Sequence, residues 1–202
     1  MYIERSIKTY LDDLAARKPA PGGGSAAALS AATGVALISM VANYTVGNPK
    51  YKDAEKKIAD LLVKAGNFRD ELEELVDRDV EAYGKLSNAM KTLQKNSPEL
   101  EKAYKEAAAV PFEICKIASE CLRLCGVLAE SGNKNLVTDT AIAAIMLEGA
   151  FLSAKFNVYI NLKYMKDTAY IGTVHRSLSP LEGEMKRLKE EILERCEDVI
   201  SK

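Results

Sequence analysis

The chain has 202 residues, which suits a single domain with a substantial hydrophobic core. Alanine, leucine, glutamate and lysine dominate, a composition typical of a mostly helical protein. The 28 basic and 29 acidic residues give a formal net charge of -1, which argues against a nucleic-acid-binding protein, because such proteins usually carry a basic surplus.

A secretory leader is not expected at the N-terminus, because its first residues carry charges of both signs. The four cysteines, Cys115, Cys121, Cys125 and Cys196, form no CxxC pair, which predicts a reduced, cytoplasmic protein. Cys121 and Cys125 are one helical turn apart and could bind a metal, but burial as small apolar residues is the favoured interpretation. We therefore expect no metal site.

A short amphipathic helix is predicted at the start of the chain, because apolar residues recur at steps of four and three between Ile3 and Leu14. Pro19 and Pro21 end it, since proline cannot continue a helix.

The next segment, from Lys18 to Lys50, contains no charged residue between those two lysines and opens with three glycines at 22–24. Ser25 is predicted as the N-cap of a helix that ends near Gly47. The glycines do not fit a Walker loop, which needs a following lysine, or a dinucleotide fingerprint, which needs a preceding strand.

This uncharged segment is long enough to span a membrane, but it is rich in small and hydroxyl-bearing residues. We favour a helix that is surrounded by the other helices of a soluble bundle. Such a helix has no side facing water and therefore needs no charged residues. The glycines would then let a ligand approach the helix N-terminus, or alternatively form only a tight turn.

Three further helices are predicted at about 51–93, 98–131 and 135–165, followed by an apolar repeat near the C-terminus. Ser97 is the predicted N-cap of the second of these, with Pro98 at its first position. The expected fold is an all-α, single-domain bundle of long helices over residues 1–202, with the uncharged helix at its centre.

Asp79 is the most informative acidic residue, because Leu72, Asp79 and Leu86 are seven apart along one apolar stripe. Asp77 is predicted to point nearly the opposite way. A carboxylate on a buried face is costly unless paired or protonated, and burial raises its pKa toward the range that a general acid/base needs. A buried aspartate that only bonds a neighbouring helix is an equally good interpretation.

Asn157 and Asn161 form a polar pair on an otherwise apolar helix face, suited either to bonding across an interface or to binding a polar ring. Asp139, near the start of the same helix, is also explained as a favourable charge at a helix N-terminus. His175 is the only histidine, which excludes di-iron ExxH pairs and zinc HExxH sites.

Four motifs, PAPGGGSAAALSAATGVALISMVANYTVG, LVDRDVEAY, GNKNLVTDTAIAA and FNVYINLK, resemble in order and spacing the cyclodeaminase/cyclohydrolase family. The resemblance extends from about Ile3 to Lys189. It implies an all-α homodimer with active sites between subunits, and a catalytic role for Asp79. Asn43 lies where the mammalian members look different, so no role is implied for it, and no formimidoyltransferase domain is attached.

The resemblance also implies a folate pocket, lined by Gly22, Gly23, Gly24, Ser25, Asn135, Asp139, Asn157 and Asn161. The expected activity is hydrolysis of 5,10-methenyltetrahydrofolate, favoured because the chain stands alone. The alternatives are formimidoyltetrahydrofolate cyclodeamination and a non-catalytic helical interaction module. Neither reaction needs a cofactor beyond the tetrahydrofolate substrate, and no nucleic acid or membrane is an expected partner.

Overall fold

The computed structural model describes all 202 residues as six α-helices and two short 3-10 helices, without strands. The α-helices are α1 (Ile7–Ala15), α2 (Gly23–Asn43), α3 (Glu55–Thr92), α4 (Pro98–Ser131), α5 (Val137–Leu162) and α6 (Thr168–Ile200). The 3-10 helices Pro49–Ala54 and Lys134–Leu136 precede α3 and α5. The predicted all-α bundle is confirmed.

Helix α2 is the centre of the bundle and packs against α3, α4 and α5. Ala28, Ala31 and Val35 are completely buried, and a Cβ at Gly34 would lie 3.2 Å from Leu147 Cγ of α5. Such small residues let helix backbones approach closely. Helices α2 and α5 are each long and apolar enough to cross a membrane by composition, but more than half of α2 is buried within the bundle. The predicted buried, uncharged central helix is confirmed.

The predicted N-cap of α2 is wrong. The helix begins at Gly23, and its N-cap Gly22 makes no side-chain capping bond. Ser25 lies inside the first turn, where its buried hydroxyl is 3.2 Å from the Tyr10 hydroxyl. The helix also ends at Asn43, one turn before the predicted stop.

The predicted exposure of Asp77 is also wrong. Its carboxylate is buried because the N-terminal segment crosses α3 and donates the N–H groups of Tyr2 and Ile3, at 2.5 and 3.2 Å. Helix α1 therefore begins later than predicted and leaves Ile7 and Leu11 exposed. A periodicity argument on α3 alone could not anticipate a covering segment 75 residues away.

The remaining helices follow the predicted bounds closely. Ser97 caps α4 by accepting the Leu100 N–H at 3.2 Å, as predicted. Helix α6 packs on α4 and α5. All four cysteines are free and buried, and burial raises the pKa of the Cys115 thiol to about 12. They are core residues of α4 and α6, in agreement with the favoured interpretation.

Candidate active site

A cavity of about 580 Å³ lies between the start of α2, the second half of α3, the first turns of α4 and the end of α5. One end is polar and is lined by Gly22, Gly23, Gly24, Asp79, Asn157 and Asn161. Five of the eight predicted substrate-binding residues therefore line this cavity together with Asp79. A sixth, Ser25, follows the glycines directly and donates its backbone N–H to Asp79. A pocket with a few convergent polar groups is the usual form of a small-molecule site.

Asp79 is fixed by the start of α2. Its Oδ2 accepts the backbone N–H of Ser25 at 2.8 Å. Burial raises the pKa of Asp79 above its ordinary value, and the hydrogen bond from Ser25 opposes that rise without cancelling it. The carboxyl group is therefore held in one orientation and is poised to exchange a proton at higher pH than an exposed aspartate.

Position 24 requires glycine because the Asp79 carboxyl group lies where a side chain at this position would begin. A Cβ at position 24 would lie 2.6 Å from Asp79 Cγ and 2.8 Å from Oδ2, so no larger residue fits without moving Asp79. Ser25 contributes its backbone N–H to the site, while its side chain is turned away toward Tyr10. Tyr10 is itself buried, so α1 supports the first turn of α2 from behind.

The N–H groups of Gly23 and Gly24 are in the first turn of α2 and have no acceptor within the helix. A Cβ at Gly23 would lie 3.3 Å from Asn157 Nδ2, so this glycine faces the asparagine pair. The helix start therefore offers donors directly beside the Asp79 carboxylate, as is common where helices bind anionic or carbonyl oxygens.

The amides of Asn157 and Asn161 are oriented by the backbone. Asn157 Nδ2 donates to the Ser153 carbonyl at 2.9 Å, and Asn161 Nδ2 donates to the Asn157 carbonyl at 2.9 Å and the Ala107 carbonyl at 3.3 Å. The Oδ1 atoms accept no hydrogen bond within the chain. They can accept hydrogen bonds from the N–H groups of a polar ring.

The other end of the cavity is apolar and aromatic, and sequence reasoning did not identify it. Its residues are Tyr83, Leu86, Met90, Tyr104, Ile160 and Tyr164. The rings of Tyr104 and Tyr164 are stacked, with centroids 5.6 Å apart and an interplanar angle of 24°. Tyr83, Leu86 and Met90 follow Asp79 at helical spacing, which is the signal that could have placed them on the cavity wall.

Asn135 and Asp139 are not brought into this cavity. Asp139 lies in the first turn of α5 and Asn135 just before it, roughly 33 Å and 39 Å from Asn161 along the helix axis at about 1.5 Å per residue. Asn135 is exposed, and its backbone N–H donates to Asn133 Oδ1 at 3.1 Å. His175 packs against Tyr159, with ring centroids 5.0 Å apart and an interplanar angle of 37°, and does not line the cavity.

The fold and the site define an all-α enzyme with one carboxylate at the polar end of its cavity. Residues 6–180 match the sequence profile described as formiminotransferase-cyclodeaminase. The chain belongs to this family, and the resemblance seen in the sequence motifs is confirmed.

Two relatives that align over nearly their full length are named for two different activities. A methenyltetrahydrofolate cyclohydrolase of Methylorubrum extorquens is 36% identical over 94% of each chain. The crystal structure of a formiminotetrahydrofolate cyclodeaminase from Thermotoga maritima matches with a TM-score of 0.85 and 32% identity, covering 100% of this chain and 98% of that one. The mouse formimidoyltransferase-cyclodeaminase is 34% identical over 91% of this chain, which spans only 35% of the mouse protein.

Proposed function

We propose that this protein hydrolyses 5,10-methenyltetrahydrofolate to 10-formyltetrahydrofolate, with Asp79 as the general acid/base. The observation that carries the proposal is the geometry of Asp79, a carboxyl group with a raised pKa that the Ser25 N–H holds at the polar end of the cavity. The 36% identity to a methenyltetrahydrofolate cyclohydrolase over nearly both full chains supports the choice of substrate.

The proton transfers can be written around this single group. Water adds to the cationic methenyl carbon, and the Asp79 carboxylate takes one of its protons as the C–O bond forms. The bond from carbon to N5 then breaks, Asp79 returns the proton to N5, and the remaining hydroxyl proton leaves to solvent as the formyl carbonyl forms. General acid/base catalysis of this kind typically contributes about 10²–10⁴-fold.

The glycine amides would stabilise the oxygen of the adduct as its charge develops. The free Oδ1 atoms of Asn157 and Asn161 would accept hydrogen bonds from the pterin ring, and the apolar end of the cavity would hold the remaining aromatic part of the folate. Neither a metal nor a redox cofactor takes part, because no electrons are transferred and the carbon is already electrophilic.

Formimidoyltetrahydrofolate cyclodeamination is the second candidate, because the Thermotoga maritima structure with that name superimposes over the whole chain. In this reaction N10 attacks the formimino carbon, and Asp79 takes the N10 proton. Asp79 then delivers a proton to the former imino nitrogen, which leaves as ammonia while the methenyl bridge forms. The leaving nitrogen needs one further proton from solvent. The same carboxyl group therefore serves both reactions.

The active unit would be a homodimer formed through the outer face of α5. Large apolar side chains on this face are exposed: Ile142 by 47%, Ile145 by 52% and Phe156 by 70%. The nearby charges are turned toward α6, where Glu148 pairs with Lys189 at 3.2 Å and Lys155 pairs with Glu182. An uncharged helix face of this length suits a second copy of itself better than water.

A two-fold dimer would also explain why the family resemblance places Asn135 and Asp139 in the folate pocket. If α5 packs antiparallel on its copy, the start of one helix lies beside the end of the other. Asn135 and Asp139 of the partner subunit would then approach the cavity that contains Asn157 and Asn161. Asn135 and Asp139 lie far from Asn157 and Asn161 within one subunit, but the two pairs would meet across the interface of the dimer. This arrangement would agree with the active sites that are expected between subunits.

The substitution Ile145→Asp is expected to convert the dimer to a monomer, because a buried unpaired carboxylate at the centre of the interface is strongly unfavourable. Sedimentation velocity should show wild-type protein at twice 22.1 kDa and the variant at 22.1 kDa, with turnover reduced at least tenfold. Lys186→Asp, on the exposed surface of α6, is the matched control and should remain dimeric. A monomeric wild-type protein with full activity would contradict the interface proposal.

A paired turnover assay tests the proposed function. Purified protein is mixed with 5,10-methenyltetrahydrofolate and, separately, with 5-formiminotetrahydrofolate, while the methenyl absorbance and released ammonia are recorded. Loss of methenyl absorbance well above the spontaneous rate identifies the cyclohydrolase. Gain of absorbance with stoichiometric ammonia identifies the cyclodeaminase. Absence of both reactions would leave the non-catalytic helical interaction module.

A further inference from the structure

Tyr10 is the one buried residue of α1, and its hydroxyl group meets the first turn of α2. The Tyr10 hydroxyl oxygen lies 3.2 Å from Ser25 Oγ, and Ser25 is completely buried. Each hydroxyl group has the other as its hydrogen-bond partner, and neither has a second one within the chain. Because a buried hydroxyl group without a partner is unfavourable, this pair fixes the start of α2 against α1.

Helix α1 is held in turn against α3 by the segment that precedes it. Asp77 of α3 accepts the backbone N–H groups of Tyr2 and Ile3. The rings of Tyr2 and Tyr10 pack edge to face, with centroids 5.7 Å apart and an interplanar angle of 88°. The position of Tyr10 is therefore set from α3, at a residue that precedes Asp79 by two positions.

These contacts form a closed circuit around the Asp79 carboxyl group. Helix α3 holds α1 through Asp77, and α1 holds the start of α2 through the Tyr10–Ser25 pair. The start of α2 returns to α3 through the Ser25 N–H, which Asp79 Oδ2 accepts at 2.8 Å. Because the hydroxyl and the N–H belong to one residue, a movement of the Ser25 hydroxyl also displaces the donor to Asp79.

Tyr10 itself does not carry a proton in the reaction. It does not line the cavity, so it has no contact with a substrate bound there. Burial raises the pKa of Tyr10, and its hydrogen bond with Ser25 opposes that rise. The Asp79 and Asp77 carboxylates raise the pKa of Tyr10 further. The phenol therefore stays protonated at neutral pH, and any effect of Tyr10 on the reaction passes through Ser25.

We infer that Tyr10 is a positioning residue that holds Asp79 in place through Ser25, an inference that rests on the proposed folate function. The hydroxyl pair sets the first turn of α2 so that its N–H groups face the carboxyl group. No lysine, arginine or histidine of this chain lines the cavity, and its other ionisable side chains are three tyrosines. The Ser25 N–H is thus the group that opposes the rise in the pKa of Asp79.

The substitution Tyr10→Phe keeps the aromatic ring and removes its hydroxyl group. The Ser25 hydroxyl is then buried without a partner, and the first turn of α2 relaxes away from Asp79. On the folate that wild-type protein turns over, kcat should fall about tenfold with KM within about twofold, because a shift below 1 Å costs less than the 100-fold loss of a larger one. The acid limb of the kcat profile should move to higher pH, since a weaker Ser25 hydrogen bond leaves the pKa of Asp79 higher.

Ser25→Ala removes the same hydrogen bond but keeps the backbone N–H, so it should lower kcat to a similar extent. The double variant Tyr10→Phe/Ser25→Ala buries no unpaired hydroxyl group. Its thermal stability should therefore exceed that of either single variant, while its kcat stays low. Recovery of kcat together with stability would show that the pair has only a structural role and would overturn the inference.

Tyr2→Phe is the matched control, because it removes a phenol hydroxyl that donates to Asp13 Oδ2 at 3.0 Å and leaves the Tyr10–Ser25 pair intact. Its kcat and its pH profile should match those of wild-type protein. An equal loss of kcat in Tyr2→Phe and Tyr10→Phe would overturn the inference.

An NMR titration of the Asp79 carboxyl carbon makes the same comparison without turnover, with its resonance identified by its absence in Asp79→Asn. The pKa of Asp79 should be higher in Tyr10→Phe than in wild-type protein and Tyr2→Phe. The same pKa in all three proteins would overturn the inference. A higher pKa in Tyr10→Phe, together with wild-type protein that turns over neither folate, would overturn the proposed function and leave the positioning of Asp79 in place.

Discussion

Replacing Asp79 with asparagine is expected to lower kcat by about 10²–10⁴-fold, the usual contribution of a positioned general acid/base. Asparagine has nearly the same shape, and its Oδ1 can still accept the Ser25 N–H that Asp79 Oδ2 accepts at 2.8 Å. The site therefore keeps its geometry and loses only the group that carries the proton. Stopped-flow measurement of methenyl absorbance under saturating substrate gives kcat directly.

Stability should move in the opposite direction to activity. Burial raises the pKa of Asp79, so the folded state disfavours the ionised carboxylate relative to the unfolded state. Below the pKa of Asp79 in the unfolded state, the carboxyl group is protonated in both states and does not lower the free energy of unfolding. As pH rises through the folded pKa, wild-type protein loses stability relative to Asp79→Asn. Thermal unfolding should show the variant at least as stable at neutral pH, and the difference should vanish in acid.

The same raised pKa shapes the pH dependence of turnover. Hydrolysis needs the ionised carboxylate to accept a proton from water, so the rate falls as pH decreases through the folded pKa, above the range of an ordinary aspartate. Asp60→Asn is the control, because Asp60 is exposed on the same helix. An Asp79→Asn protein that folds normally and turns over at the wild-type rate would disprove the assignment.

Gly24→Ala is expected to lower turnover at least about 100-fold, because a displacement of the reacting group by about 1 Å has effects of that size. The new methyl group would lie 2.6 Å from Asp79 Cγ, so the carboxyl group must leave its place beside the Ser25 N–H. Overpacking of this kind costs about 1–3 kcal/mol, partly offset by about 0.5–1 kcal/mol from replacing a helical glycine. Turnover and thermal unfolding of the variant measure both effects.

Gly22→Ala separates this clash from a general effect of glycine replacement. Gly22 also lines the cavity, but a Cβ there would have no neighbour within 4 Å, and its φ of -133° is accessible to alanine. Its turnover should stay within about tenfold of wild type, a far smaller loss than for Gly24→Ala. If both variants lost activity to the same extent, the contact with Asp79 would not be the reason that position 24 is a glycine.

The helices and the inward-facing position of Asp79 were the parts of this molecule that local sequence patterns could predict. Apolar spacing along α3 selected Asp79, and the Ser97-Pro98 pair marked the start of α4. Such signals depend only on residues within a few turns of one another. The uncharged segment indicated a central helix for the same reason, because its composition excluded a solvent-facing side.

The main errors concern contacts between distant segments. Asp77 is buried by Tyr2 and Ile3, which no periodicity on α3 reports. The sequence predicts Ser25 as the cap, yet the helix starts three residues earlier, and Asp79 of another helix accepts the Ser25 N–H. The stacked Tyr104 and Tyr164 come from α4 and from the turn after α5, so their pairing exists only in the folded chain.

Asp79 is the only carboxylate that its own chain contributes to the lining of the cavity, and under the proposed mechanism this has a consequence for how activities diverge within the family. Water addition and ring closure by N10 would use the same proton carrier, so the choice between them cannot depend on exchanging one acid/base residue for another. It depends on whether a water molecule has room beside the one-carbon unit. Conversion between the two enzymes would therefore proceed through changes in side-chain volume, at wall positions such as Leu86 and Ile160, with the catalytic machinery left untouched.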